Sequence, residues 1–88
     1  MLHTVTYVRN DGSDEFAVYE GIEPGSDHTI PDEQMMLYRH GFIHIGWSLT
    51  PDGAGGRFEI LDDYDNRLTV TMTVNEDLVL YAIWDRLH

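Results

Sequence analysis

The chain has no cysteine and no lysine, and its longest apolar run is the seven residues "LVLYAIW" at 78–84. Each absence excludes something. Without cysteine there is no disulfide scaffold, no zinc ribbon and no thiol chemistry. Without lysine there is no Schiff base, no Walker-type phosphate lysine and no lysine isopeptide crosslink. Seven apolar residues fall far short of the roughly 20 that span a bilayer as a helix, so no membrane insertion is expected. Positive charge is also scarce. Five arginines face 16 acids, for a net charge of −11. Such a surface repels phosphates, which argues against nucleic-acid partners and anionic membrane surfaces. The N-terminus lacks the basic and apolar regions of a signal peptide. A domain taken from inside a longer chain would carry none.

What is present reads as one small β-rich domain over residues 1–88. The hydrophobic fraction of 42% and the aromatic fraction of 11% fit a folded chain rather than a disordered one. Most of the periodicity is two. "TVTYV" (4–8) and "EFAVYEG" (15–21) flank the turn signal "NDGSD". They predict a hairpin with strands at about 2–9 and 15–20. Pro24, Gly25 and Pro31 mark a loop with a short extended piece at 28–30. "DEQMMLYRHG" (32–41) is the one candidate helix, with Asp32 as cap and Gly41 as stop. Its alternative is a loop whose Met35, Met36 and Leu37 plug the core. "FIHIGW" (42–47) is apolar on both faces, as an interior strand is. "SLTPDGAGG" is a loop, "RFEI" a short strand, and "LDDYDNR" an acidic connection. In "LTVTMTV" (68–74) Val70, Met72 and Val74 alternate with Thr69, Thr71 and Thr73. "LVLYAIW" closes the chain as a second two-sided strand. Alternation places Leu78, Leu80, Ala82 and Trp84 on one face, with Trp84 in the core.

The candidate chemistry is thin. "DGAGG" (52–56) lacks the Lys-Ser/Thr end of a phosphate loop and leads into a strand. His40 and His44 stand four apart, but on a strand that spacing does not bring them together on a metal, and no H-E-x-x-H pattern follows. The acids of "DDYDN" (62–66) offer oxygen ligands without the glycine and closing glutamate of a calcium loop. Ser13, Ser26 and Ser48 lie in turns or at a loop edge, outside any G-x-S-x-G elbow. No catalytic set, cofactor site or metal site is expected. Trp47 and Trp84 each end a hydrophobic strand, and such tryptophans either fill a core or form a platform for sugars.

The run of these segments resembles the Listeria–Bacteroides repeat, also called the internalin B-type repeat. That family carries a "TVTY" strand, a Gly-aromatic segment ending in Gly-Trp, a Gly-rich loop and a closing "DxTLYAxW". Matching residues here are Thr4 to Tyr7, Gly41, Phe42, Gly46, Trp47, Asp52, Gly53, Gly55, Asp77, Leu80, Tyr81, Ala82 and Trp84. They cover about residues 4–84. His44 departs from the family pattern, where a large apolar residue is usual. The resemblance implies a mainly β or α+β fold: a small β-grasp-like (ubiquitin-like) module with a mixed sheet and at most one short helix. It also implies a non-catalytic module of a bacterial cell-surface or secreted protein, acting in adhesion, protein binding or domain spacing. Its structural signature is Gly41, Phe42, Gly46, Trp47, Leu80, Tyr81 and Trp84. The expected partner is a protein or glycan at the cell surface, with room for weak self-association. The alternative is a carbohydrate-binding module with exposed Trp and Tyr.

Overall fold

The computed structural model describes residues 1–35, 37–64 and 66–87. Met36 and Asp65, which belong to the core-plug and acidic-loop expectations, lie outside them. The elements are β1 (His3–Val8), β2 (Phe16–Ile22), β3 (Ser26–Thr29), a 3-10 turn (Asp32–Gln34), β4 (Tyr38–Arg39), β5 (Phe42–Ser48), β6 (Arg57–Glu59), β7 (Thr71–Val74) and β8 (Leu78–Arg86).

Six strands form one mixed sheet in the order β2-β1-β8-β5, with β4 and β6 both on the far side of β5. The first two strands make the antiparallel hairpin that the "NDGSD" turn predicts. The last strand is inserted beside the first and runs parallel to it. β5 then pairs antiparallel with β8. The chain is therefore a small, mainly β module with a mixed sheet. β3 and β7 pair antiparallel in a second, two-stranded sheet.

The core lies on one face of the large sheet. Val5, Tyr7, Trp47, Leu80 and Ala82 come from its strands, and Ile30, Met35, Ile60, Met72 and Val74 complete the cluster. Met72 and Val74 point inward from β7 while Thr71 and Thr73 point out, as the period of two requires. The second layer is fastened by polar contacts as well. The Trp47 indole N–H donates to the Gln34 carbonyl at 2.9 Å. The Tyr7 hydroxyl and His28 Nε2 share a 2.6 Å hydrogen bond.

The candidate helix over 32–41 does not form. Only Asp32–Gln34 makes a 3-10 turn, and it has no side-chain cap. Met35 is already extended and buried, Leu37 packs against the core, and Tyr38–Arg39 turns into a strand on β5. Tertiary packing of Met35 and Leu37 outweighs the weak propensity of so short a segment. Of the alternative, the plugging of the core by Met35 and Leu37 is seen, but Tyr38–Arg39 is a strand rather than loop.

The signature glycines have distinct duties. Gly41 sits at φ 80° in the tight β4–β5 turn, a conformation that costs glycine little. Gly46 lies where β6 crosses closest. A Cβ there would meet the Phe58 carbonyl oxygen at 2.6 Å. The ladder between β5 and β8 also slips there, with His44 opposite Trp84 but Gly46 opposite Ile83. Ile45 is the extra residue of a β-bulge.

Candidate functional site

The bulge decides where His44 goes. On a regular strand residues 44 and 47 would face opposite sides. With one residue inserted they share the core face, and their rings meet edge-on at 5.0 Å. His44 is buried. Its Nδ1 accepts the Leu37 N–H at 3.1 Å, so the proton sits on Nε2, which donates to the Gly46 carbonyl at 2.9 Å. Burial first, and then the charge of Arg9, holds the imidazole down to about 4, against the opposing pull of the Gly46 carbonyl. His44 is thus a neutral pin between Leu37 and the bulge. Both ring nitrogens are used, which leaves neither for a metal. Among the described residues no three His, Asp or Glu side chains are grouped to hold a metal ion.

The Gly-rich loop is held by its own side chains. Thr50 Oγ1 accepts the Gly55 N–H at 2.8 Å and donates to Asp52 Oδ1 at 2.7 Å. Asp52 Oδ1 also accepts the Ala54 N–H at 3.0 Å. These amides are spent inside the loop rather than turned outward as a phosphate cradle. The acidic connection is similar. Asp62 Oδ1 accepts the N–H groups of Tyr64 and Asn66 at 2.8 and 2.9 Å, which holds its carboxyl below the usual range.

Two surfaces remain. The first is the sheet face opposite the core. Register aligns Val18, Thr6 and Val79 in one row across β2, β1 and β8, and Phe16, Val8 and Tyr81 in the next. Phe16 is 66% exposed, and Val18 and Val79 are 43% exposed each. β2 borders this face and pairs only with β1 among the described residues.

The second is the far end of β8. Trp84 shares the face of Leu80 and Ala82, as alternation requires, but it lies half-buried at the margin of the core. Its indole N–H donates to the Arg9 carbonyl at 2.9 Å. The guanidinium carbons of Arg9 and Arg39 stand 5.8 and 5.6 Å from its ring centre. Arg39 also stacks 3.9 Å over Phe42. Beside them is a cleft of about 220 Å³.

The signature residues therefore divide. Trp47 and Leu80 are core, with no exposed surface. Gly41 and Gly46 serve the backbone. Phe42 and Trp84 flank the cleft, and Tyr81 lies on the opposite face. Arg39, Arg9 and Asn10 stood outside the sequence-level expectations. No local pattern announces them, because their approach depends on the order of β1, β8, β5 and β4 in the sheet. Compared with known proteins, the chain matches no family model, no curated sequence and no solved structure.

Proposed function

We propose that this chain is a non-catalytic module of a bacterial cell-surface or secreted protein that binds a protein partner through its open sheet face. The observation that carries the binding role is the pair of rows on β2, β1 and β8, apolar apart from Thr6. Phe16, Val18 and Val79 keep from 43 to 66% of their surface in water. They lie beside a strand edge whose backbone is free to pair. Exposed apolar side chains and an open edge are two features of recognition by strand addition. The cell-surface setting, and the absence of catalysis, rest on the sequence resemblance to the Listeria–Bacteroides repeat. Domain spacing is the same module with no partner engaged.

The carbohydrate-platform alternative has less support. Trp47 has no exposed surface, and Trp84 and Tyr81 point to opposite sides of β8. The rings of Trp84 and His44 already stand 5.4 Å apart.

The test is retention of protein-coated beads on immobilised extracellular-matrix proteins and on purified bacterial envelope. The double variant Phe16→Ser, Val79→Thr changes only exposed side chains, so its stability should move by no more than about 0.5 kcal/mol per site. Wild-type beads are expected to be retained and variant beads released. Equal retention would remove the open face from binding, and no retention of either would leave spacing alone.

A further inference from the structure

β8 is longer than its neighbour. It runs from Leu78 to Arg86, but β1 covers only Leu78 to Tyr81. Beyond that point β1 leaves the sheet. Asn10 takes φ 56°, an uncommon value for a residue other than glycine. Its side-chain amide donates to the carbonyls of Ala82 and Pro51 at 3.1 and 3.0 Å. Among the described residues no strand continues the lane of β1 alongside the rest of β8.

The backbone of β8 faces that lane in a defined way. The Asn10 bond shows that the Ala82 carbonyl points into it. A strand repeats every two residues, so the Trp84 N–H and C=O point there too. The other edge agrees: the Leu87 N–H bonds the Gly41 carbonyl at 3.0 Å, so odd-numbered residues face β5. The Arg86 N–H is taken by Asp85 Oδ1 at 3.0 Å. Among the described residues, Trp84 thus offers a backbone N–H and C=O to a strand entering the lane.

The cleft of about 220 Å³ lies in this lane, with Asn10 at its base and Arg39, Phe42, Pro51, Ile83 and Trp84 among its walls. Asp52 also borders it, but its Oδ1 is engaged by Thr50 and Ala54. The charge is unlike the rest of the molecule. Arg9 is held by Asp11 at 2.6 Å. Arg39 makes no ion pair among the described residues, in a chain with 16 acids to choose from. Arg86 stands opposite Phe42 in the ladder. Arg9 and Arg39 therefore flank the Trp84 ring, and the half-buried Arg39 guanidinium, with five donors, is left without a carboxylate among the described residues.

We propose that the lane beside Trp84 is a docking site for an extended peptide segment that carries a carboxylate. The peptide backbone bonds the N–H and C=O of Trp84 and continues the path of β1. Its carboxylate, a side chain or a C-terminus, pairs with Arg39. The site is separate from the open face of β2, β1 and β8, and it stands whether or not that face binds.

The test uses the whole chain, labelled with ¹⁵N, and four probes: the blocked peptide acetyl-Ser-Val-Glu-Val-Ser-amide, its Glu-to-Gln counterpart, a free-acid peptide without Glu, and a glucuronic-acid disaccharide. The Glu peptide is expected to shift the Trp84 amide and indole signals and to leave Phe16 and Val79 unmoved. Replacing its Glu by Gln, or using Arg39→Gln protein, should weaken binding about tenfold, as loss of one charge-assisted pair does. Arg39→Lys should recover part of that loss. N-methylation of the central peptide amides should abolish binding. The free-acid peptide separates a C-terminus from an acidic side chain as the source of the carboxylate. Equal affinity for the Glu and Gln peptides on wild-type protein would overturn the proposal, even if Arg39→Gln failed to fold. So would shifts confined to the open face, or no binding by either acidic peptide up to about 1 mM. Binding of the disaccharide in place of the peptides would give the cleft to glycans instead.

Discussion

Trp47 and Trp84 end two strands that look alike in sequence, and they lead different lives. Trp47 has no exposed surface. Its ring packs edge-on to Tyr7 at 4.9 Å and to His44 at 5.0 Å. Trp84 lies half-buried, with arginines near its ring and a cleft at its side. Both indole N–H groups are satisfied by backbone carbonyls, at 2.9 Å in each case. Hydrogen bonding therefore does not separate the two. What separates them is cover. The 3-10 turn closes over Trp47 through the Gln34 carbonyl, whereas β1 leaves the sheet before it reaches Trp84. A tryptophan at the middle of a mixed sheet is a keystone. The same residue beyond the end of its neighbouring strand becomes part of a surface.

The largest test of this contrast is Trp47→Ala. Truncating a buried Trp costs about 3–5 kcal/mol, comparable with the whole stability of a domain this small, at roughly 0.05–0.15 kcal/mol per residue. Circular dichroism should show a chain largely unfolded at 37 °C. A cooperative melt near the wild-type temperature would contradict the keystone role.

Acid should attack the same end next. The unfolded His44 imidazole titrates near 6.5 and the folded one at about 4. Folding therefore favours the neutral ring. Stability is fully present above pH 6.5 and is lost as pH falls from there through about 4. The loss is about 3 kcal/mol at its limit. His28, lowered by its own burial, adds in the same direction. Neutralising carboxylates relieves the net negative charge and works the other way, but free Asp and Glu side chains titrate at about 3.9 and 4.3, so most of that relief comes below pH 5. The urea midpoint should thus fall between pH 7 and pH 5. A constant or rising midpoint over that range would mean that charge relief outweighs the histidines.

Gly46→Ala comes third. The added methyl would press on the Phe58 carbonyl at 2.6 Å, and neither strand can yield without losing the bulge. The expected cost is about 1–3 kcal/mol, as for overpacking elsewhere. A neutral substitution would show that β6 moves freely and that the glycine marks nothing more than sequence habit.

Trp84→Ala should be mildest, at about 1–2 kcal/mol, because part of the ring is already in water. The variant should stay folded. A loss as large as that of Trp47→Ala would place Trp84 in the core after all.

Much of the sheet was legible in the sequence, and the reasons are local. The "NDGSD" turn between two β-branched runs announces the hairpin. Alternation in "LTVTMTV" places Met72 and Val74 inward. Gly46, singled out by the resemblance, serves both a close approach and a bulge. What stayed hidden depends on distance along the chain. The pairing of β3 with β7 joins segments more than 40 residues apart, and neither segment announces its partner. The failed helix at 32–41 was settled by the burial of Met35 and Leu37, which propensity does not report. The margin position of Trp84 follows from where β1 stops. No pattern within "LVLYAIW" records that, so alternation gave the correct face and overstated the depth. The approach of Arg9 and Arg39 to Trp84 was invisible for the same reason, since it depends on the order of the strands.

The contrast between the two tryptophans can be read in one measurement on the native, unmodified protein: hydrogen exchange of the two indole N–H protons by NMR, with Trp84→Phe used only to assign the peaks. The account predicts that the Trp47 proton exchanges only through global unfolding, at a rate that follows the stability of the whole domain. The Trp84 proton should exchange much faster, by local opening at the end of β8. Equal rates for the two protons would contradict it.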